Sequence, residues 1–140
     1  MGMIGAWRRN ELKARELKLA QIQAMIEVAL KAGHDVILPY LVTDATHAES
    51  FERIAKKYGA DFYEIMLATT KDDAIARLLE RGRWGEEGSK QLTEEDVPRI
   101  ESLYDLMMLE LSKRPNAVSI ETMRGDIDAA YSKFSDIISA

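Results

Sequence analysis

No cysteine occurs in the 140 residues. That excludes disulfides, thiolate metal sites and cysteine nucleophiles, and it fits a reducing cytosol. Histidine is nearly as scarce: His34 and His47 are the whole supply, at unrelated positions, so no metal site is expected from them. No apolar run approaches membrane-spanning length, and the first residues lack the continuous apolar core of a signal peptide. A soluble, cytoplasmic protein with no membrane partner is expected. Positive charge is not in surplus either. The net charge is −5, which disfavours a nucleic-acid partner held by bulk electrostatics. Several chemical motifs are also missing: GxxxxGK[ST], HExxH, GxSxG and an acidic metal loop. Gly85-Glu86-Glu87-Gly88-Ser89-Lys90 has the residue types of a phosphate loop in the wrong order, and its two glutamates would repel phosphate.

What is present is ordinary globular material, 46% hydrophobic and 31% charged, enough for a single domain over residues 1–140 with its own core. The organising stretch is Gly33-His34-Asp35-Val36-Ile37-Leu38-Pro39-Tyr40-Leu41-Val42-Thr43-Asp44. A helical pattern runs into Ala32-Gly33, and glycine suits the position just past a helix end. The apolar run Val36 to Val42 then reads as a strand covered on both faces, as in a parallel sheet. Thr43 and Asp44 return to polar character, and a new helical pattern starts there. Open α/β sheets bind ligands beyond the carboxyl ends of their strands, so Tyr40, Thr43 and Asp44 are candidate site residues. Thr43, Asp44 or Thr46 can equally serve as the cap of the following helix.

The first helix should run from an Asn10 cap to about Ala32, with the stripe Leu12, Leu19, Ile22, Ile26, Ala29 and Leu30. A second, Thr46 to Tyr58, carries Phe51, Ile54 and Ala55 and stops at Gly59. Asp61 to Ala68 reads as a strand. Thr70-Lys71-Asp72-Asp73 has the spacing of a capping box, opening a helix with Ile75, Leu78 and Leu79 that ends at Gly82. Residues 83–95 are loop by composition. Pro98 fits a first helical turn, and Ile100, Leu103, Tyr104, Met107 and Leu111 continue as a helix to about Lys113, its methionines filling core. Ala117 to Ile120 is a short strand, Asp126 a helix cap, and Ile127, Ala130, Tyr131, Phe134, Ile137 and Ile138 one face of the last helix. Three strands alternating with five helices give an α/β fold with parallel pairing and crossover connections.

The strongest local chemical signal is Arg77, Arg81 and Arg83. The first two lie four apart on one helix face, and the third follows Gly82. Guanidinium forks grip phosphate oxygens, and a set of them at a hinged loop can close over a polyphosphate. A solvated helix end, where cations favour the helix dipole, accounts for the same pattern. Thr122-Met123-Arg124-Gly125 follows the last strand at its carboxyl end and belongs on the ligand-binding edge. Met3 and Trp7 either line a pocket or form a buried lead-in.

Taken in order, these pieces resemble a known family. The segment Met3-Ile4-Gly5-Ala6-Trp7, the long helix into Ala32-Gly33-His34-Asp35-Val36-Ile37-Leu38-Pro39, and the turn from Arg77 to Arg83 carry the likeness. So do the helix ending in Arg114-Pro115 and the closing strand and helix. The order is similar to that of the P-loop small-molecule kinases of the chloramphenicol phosphotransferase, zeta-toxin and gluconate kinase type, grouped with AAA family ATPases. The resemblance implies a three-layer α/β/α sandwich and an ATP- and Mg²⁺-dependent phosphotransferase acting on a small-molecule hydroxyl. It implies that Arg77, Arg81 and Arg83 act on the ATP phosphates from a lid-like loop, and that Thr122 to Gly125 (Met123 and Arg124 included) lie beside the adenine. Met3, Trp7, Tyr40, Thr43 and Asp44 would line the acceptor pocket.

Such kinases begin with a strand, a phosphate loop, a helix and a second strand bearing the catalytic carboxylate. Roughly 40 residues of that βαβ portion have no counterpart here, so the chain as given is expected to be incomplete and to bind neither ATP nor Mg²⁺ productively. Losing the first strand would leave two strand edges unpaired. The alternative is a non-catalytic α/β binding or assembly module, such as a homodimer joined through those edges.

Overall fold

A computed structural model describes residues 11–82 and 91–139. The fold is mixed α/β and mostly helical, with one small parallel sheet. Its elements are α1 (Glu11–Lys31), α2 (Ala45–Lys57), β1 (Ile65–Ala68), α3 (Lys71–Arg81), a 3₁₀ turn (Glu94–Asp96), α4 (Val97–Ser112), β2 (Val118–Glu121) and α5 (Ile127–Ser139). The chain divides into two compact units, Met1–Phe62 and Tyr63–Ala140. No described helix is long and apolar enough to cross a membrane. Met3, Trp7, Arg83, the Asn10 cap and most of the expected lid lie outside the described residues.

The first unit is a pair of helices. α1 ends where the sequence places its stop: Gly33 takes φ +82°. The Gly33 and His34 amides donate back to Leu30 and Ala29 carbonyls, both at 3.0 Å, so the last turn is closed rather than frayed. Ile26 is buried, with Leu19, Ile22, Ala29 and Leu30 half-buried around it. Leu12 is a correction to the expected stripe, since it is 71% exposed. In α2, Ala45, Ala48, Phe51 and Ala55 are buried. The expected start at Thr46 moves to Ala45, with Asp44 as cap.

Between the two helices the structure departs from the sequence reading. Val36 to Val42 belongs to no strand. Among the described residues, Asp35 to Thr43 make no backbone–backbone hydrogen bond, and Val36 to Pro39 are exposed. Strand character depends on a neighbour to receive the ladder, and Pro39 withholds one donor in any case. β-branched composition alone cannot supply that neighbour.

The second unit holds the sheet. β1 and β2 run parallel, with Ile65 opposite Val118 and Leu67 opposite Ile120, so the chain needs the crossover through α3 and α4 to return. The strand expected from Asp61 begins only at Ile65, and the one expected from Ala117 to Ile120 runs Val118–Glu121. Ile120 and Ile100 are each 2% exposed and form the centre of this unit. The Thr70 hydroxyl accepts from the Asp73 amide at 3.2 Å to start α3, Pro98 sits in the first turn of α4, and Asp126 accepts from the Ala129 amide at the start of α5. On α5, however, Ile127, Tyr131 and Ile138 of the expected apolar face are exposed.

A two-stranded sheet has two outer edges. Among the described residues no third strand covers either of them, while Leu67 is 65% and Val118 42% exposed. Open edges of this kind recruit further strands. At low micromolar concentration the 140-residue chain should sediment above its 15.8 kDa monomer mass. A well-behaved monomer would show that the edges are covered within the chain.

Candidate functional site

The carboxyl edge of the parallel pair gathers the largest set of the expected site residues. Where β2 ends, the Thr122 amide donates to the Ala68 carbonyl at 2.8 Å, and the Thr122 hydroxyl donates to the same oxygen at 3.1 Å. Arg77 reaches this point from α3. Its Nη2 donates to the Thr122 carbonyl at 3.1 Å and pairs with Asp73 at 2.6 Å, while Nη1 lies 3.4 Å from the Thr122 hydroxyl. Asp73 also accepts from the Thr69 hydroxyl at 2.8 Å, and the Tyr104 hydroxyl donates to the Thr69 carbonyl at 2.8 Å. One connected network therefore ties both strand ends to α3 and α4. Among the described residues the buried Nε of Arg77 has no partner.

Arg77 and Thr122, expected at the phosphates and at the adenine respectively, are thus direct partners. Arg77 acts first as a clamp: its charge is matched by Asp73 and its hydrogens hold the β2 exit. Arg124 forms an ion pair with Glu80 on the outer side of α3. Met123 is 74% exposed, and Gly125 turns the chain at φ +81°. Arg81 is exposed at the end of α3. There Gly82 adopts φ +75°, a conformation that favours glycine. The Leu92 amide donates to the Gly82 carbonyl at 2.7 Å, and Leu92 itself is 5% exposed. Gly82 and Leu92 are therefore pinned together beside Arg81.

Tyr40, Thr43 and Asp44 belong to the first unit and gather around the start of α2. Asp44 is the cap: its carboxylate accepts from the Thr46 amide at 2.9 Å and the Thr46 hydroxyl at 2.6 Å. The Tyr40 hydroxyl meets His47 Nδ1 at 2.9 Å, and the Tyr40 ring stands edge-on to Phe51 at 5.2 Å. Burial, then the Asp44 charge, pushes the Tyr40 phenol above its ordinary value. The phenol therefore keeps its proton at neutral pH, and the direction of its bond to Nδ1 follows the histidine tautomer. Asp44 is 3.9 Å from the other ring nitrogen. Among the described residues Thr43 makes no hydrogen bond to this cluster.

Asp73, Thr69, Tyr104 and His47 were not among the expected site residues. The Asp73–Arg77 pair has a visible signal in its four-residue spacing on one helix. Tyr104 and Thr69 are 35 positions apart, and nothing local announces them. Among the described residues, no group of three or more His, Asp or Glu could hold a metal ion.

No family model matches the chain, and no solved structure matches it. A 63-residue stretch is 38% identical to the Chromosome transmission fidelity protein 18 homolog of Drosophila melanogaster. That stretch covers 44% of this chain and 6% of the relative. The chain is thus similar to a small segment of a much longer protein.

Proposed function

We propose that the chain is the C-terminal, larger part of an ATP-dependent phosphotransferase with a P-loop-like three-layer fold, acting on a small-molecule hydroxyl. The observation that carries this reading is the carboxyl edge of the β1–β2 pair, where Arg77, Thr122 and the pinned base of the Arg81–Gly82 turn come from separate elements of one unit. In the reaction, the acceptor oxygen forms a bond to the γ-phosphorus, the bond to the β-phosphate bridging oxygen breaks, and the hydroxyl proton leaves to a base. This chain would contribute cations to the transferring phosphoryl group, as transition-state charge stabilisation requires. The described residues do not by themselves fit Mg²⁺, and no step is assigned to it. A second reading, a non-catalytic binding or assembly module, is favoured by the engagement of Arg77 with Asp73 and Thr122.

Calorimetry separates the two. The 140 residues alone should bind Mg-ATP weakly or not at all, since no segment supplies the backbone cradle of a phosphate loop; micromolar affinity would contradict this account. In a longer form carrying such a loop, Arg81→Ala or Arg83→Ala should lower kcat by about 10²-fold with little change in melting temperature. A longer form that neither binds ATP nor transfers phosphate would favour the module. Equal losses of stability and activity would make the arginines structural.

A further inference from the structure

In the first unit, a groove of about 320 Å³ lies between α1 and α2, lined by Gln23, Glu27, Ser50, Arg53, Ile54 and Lys57. Its size is at the lower end for small-molecule sites, about 300–1,000 Å³. Most of its polar groups are engaged with one another. Gln23 Nε2 donates to the Ser50 hydroxyl at 3.0 Å, and that hydroxyl, on a buried residue, donates to the His47 carbonyl at 2.6 Å. Lys57 pairs with Glu27 at 2.9 Å. The Lys57 hydrogen bond and charge hold the Glu27 carboxyl below its ordinary value, and Glu27 pushes the Lys57 ammonium up in return. Arg53 differs from all of these. Among the described residues no hydrogen bond or ion pair involves it, and Glu49, one turn earlier on the same helix, forms no ion pair with it.

We infer that the α1–α2 groove is a binding site for a small organic carboxylate, with Arg53 as its anchor. A guanidinium with its whole fork open suits the planar, two-oxygen face of a carboxylate. Ile54 offers an apolar wall for the body of the molecule, and the Gln23 amide adds hydrogen-bonding capacity beside it. Charge selects the ligand class. Arg53 and Lys57 bring two positive charges and Glu27 one negative, so one positive charge is uncompensated. A monocarboxylate neutralises it, whereas a phosphate dianion would leave the groove negative and would compete with Glu27 for Lys57. This inference is independent of the phosphotransferase reading.

The test is an NMR titration of the 140-residue chain with sodium propionate, and separately with inorganic phosphate, at constant ionic strength. Propionate should give saturable shifts at the Arg53 side-chain Nε–H and at the Ser50 and Ile54 amides, with millimolar affinity. Arg53→Gln should weaken binding about tenfold or more, as expected for losing a charge-assisted pair, without changing the melting temperature, because the side chain is exposed and unpaired. Glu27→Gln should release Lys57, tighten propionate severalfold and admit phosphate. Absence of saturation with propionate, or unchanged binding in Arg53→Gln, would overturn the site. Phosphate binding more tightly than propionate to the unaltered chain would overturn the assignment to carboxylates.

Discussion

Arg114→Ala should destabilise the second unit by about 3–5 kcal/mol, the usual cost of breaking a buried ion pair from one side. Arg114 Nε donates to both carboxylate oxygens of Glu64, at 2.9 and 3.2 Å, and the two side chains are only 12% and 13% exposed. Their backbones are engaged at the same place. The Val118 amide donates to the Glu64 carbonyl at 2.9 Å and the Ala117 amide to the Arg114 carbonyl at 3.1 Å. The pair therefore fixes where β2 meets the start of β1. Truncation would leave the Glu64 carboxylate in a poorly solvated position with nothing to balance it. Urea unfolding of the variant measures the cost, and the double variant Glu64→Gln/Arg114→Met should recover most of it, since no buried charge remains. A single-variant loss under about 1 kcal/mol would place the pair among solvated surface pairs.

Phe51→Ala should cost the first unit a comparable amount, about 3–5 kcal/mol. Phe51 is 7% exposed and is the largest side chain in a buried set otherwise made of Ile26, Ala45, Ala48, Ser50 and Ala55. Small neighbours cannot swing in to fill the space an aromatic ring vacates, so the cavity persists. The edge-on contact with Tyr40 goes with it, loosening the residue that holds His47. Urea unfolding followed by Tyr40 and His47 ring resonances would read both effects. A loss below about 1 kcal/mol would mean that the helix pair has little packing to lose.

Much of this architecture was legible in the sequence, and the part that was not shares a physical cause. Helix ends are local: Gly33, Thr70, Gly82, Pro98 and Asp126 stand at helix termini in the roles their chemistry dictates. The parallel pairing also followed from the spacing of strands and helices. Val36 to Val42 failed because a strand is a relation between two segments. Its composition states a preference, while the ladder depends on a partner that the residue pattern does not contain. The same holds for Asp61 to Tyr63, which stay outside a ladder only four residues long, while Glu64 reaches it through its carbonyl alone. At the site, the Arg77–Asp73 spacing was readable, but Thr122 lies 45 positions away. The free guanidinium of Arg53 could not be read at all, because it depends on which carboxylates fail to arrive.

The bond from the Leu92 amide to the Gly82 carbonyl brings the end of α3 and the approach to the 3₁₀ turn to one point. Those two residues are anchors held by the bond between them, whatever the length of chain that joins them. Loop-closure entropy grows slowly with length, so even a doubled insert would cost only about 0.6 kcal/mol more. Lengthening the chain between those two anchors is therefore cheap for the stability of the second unit.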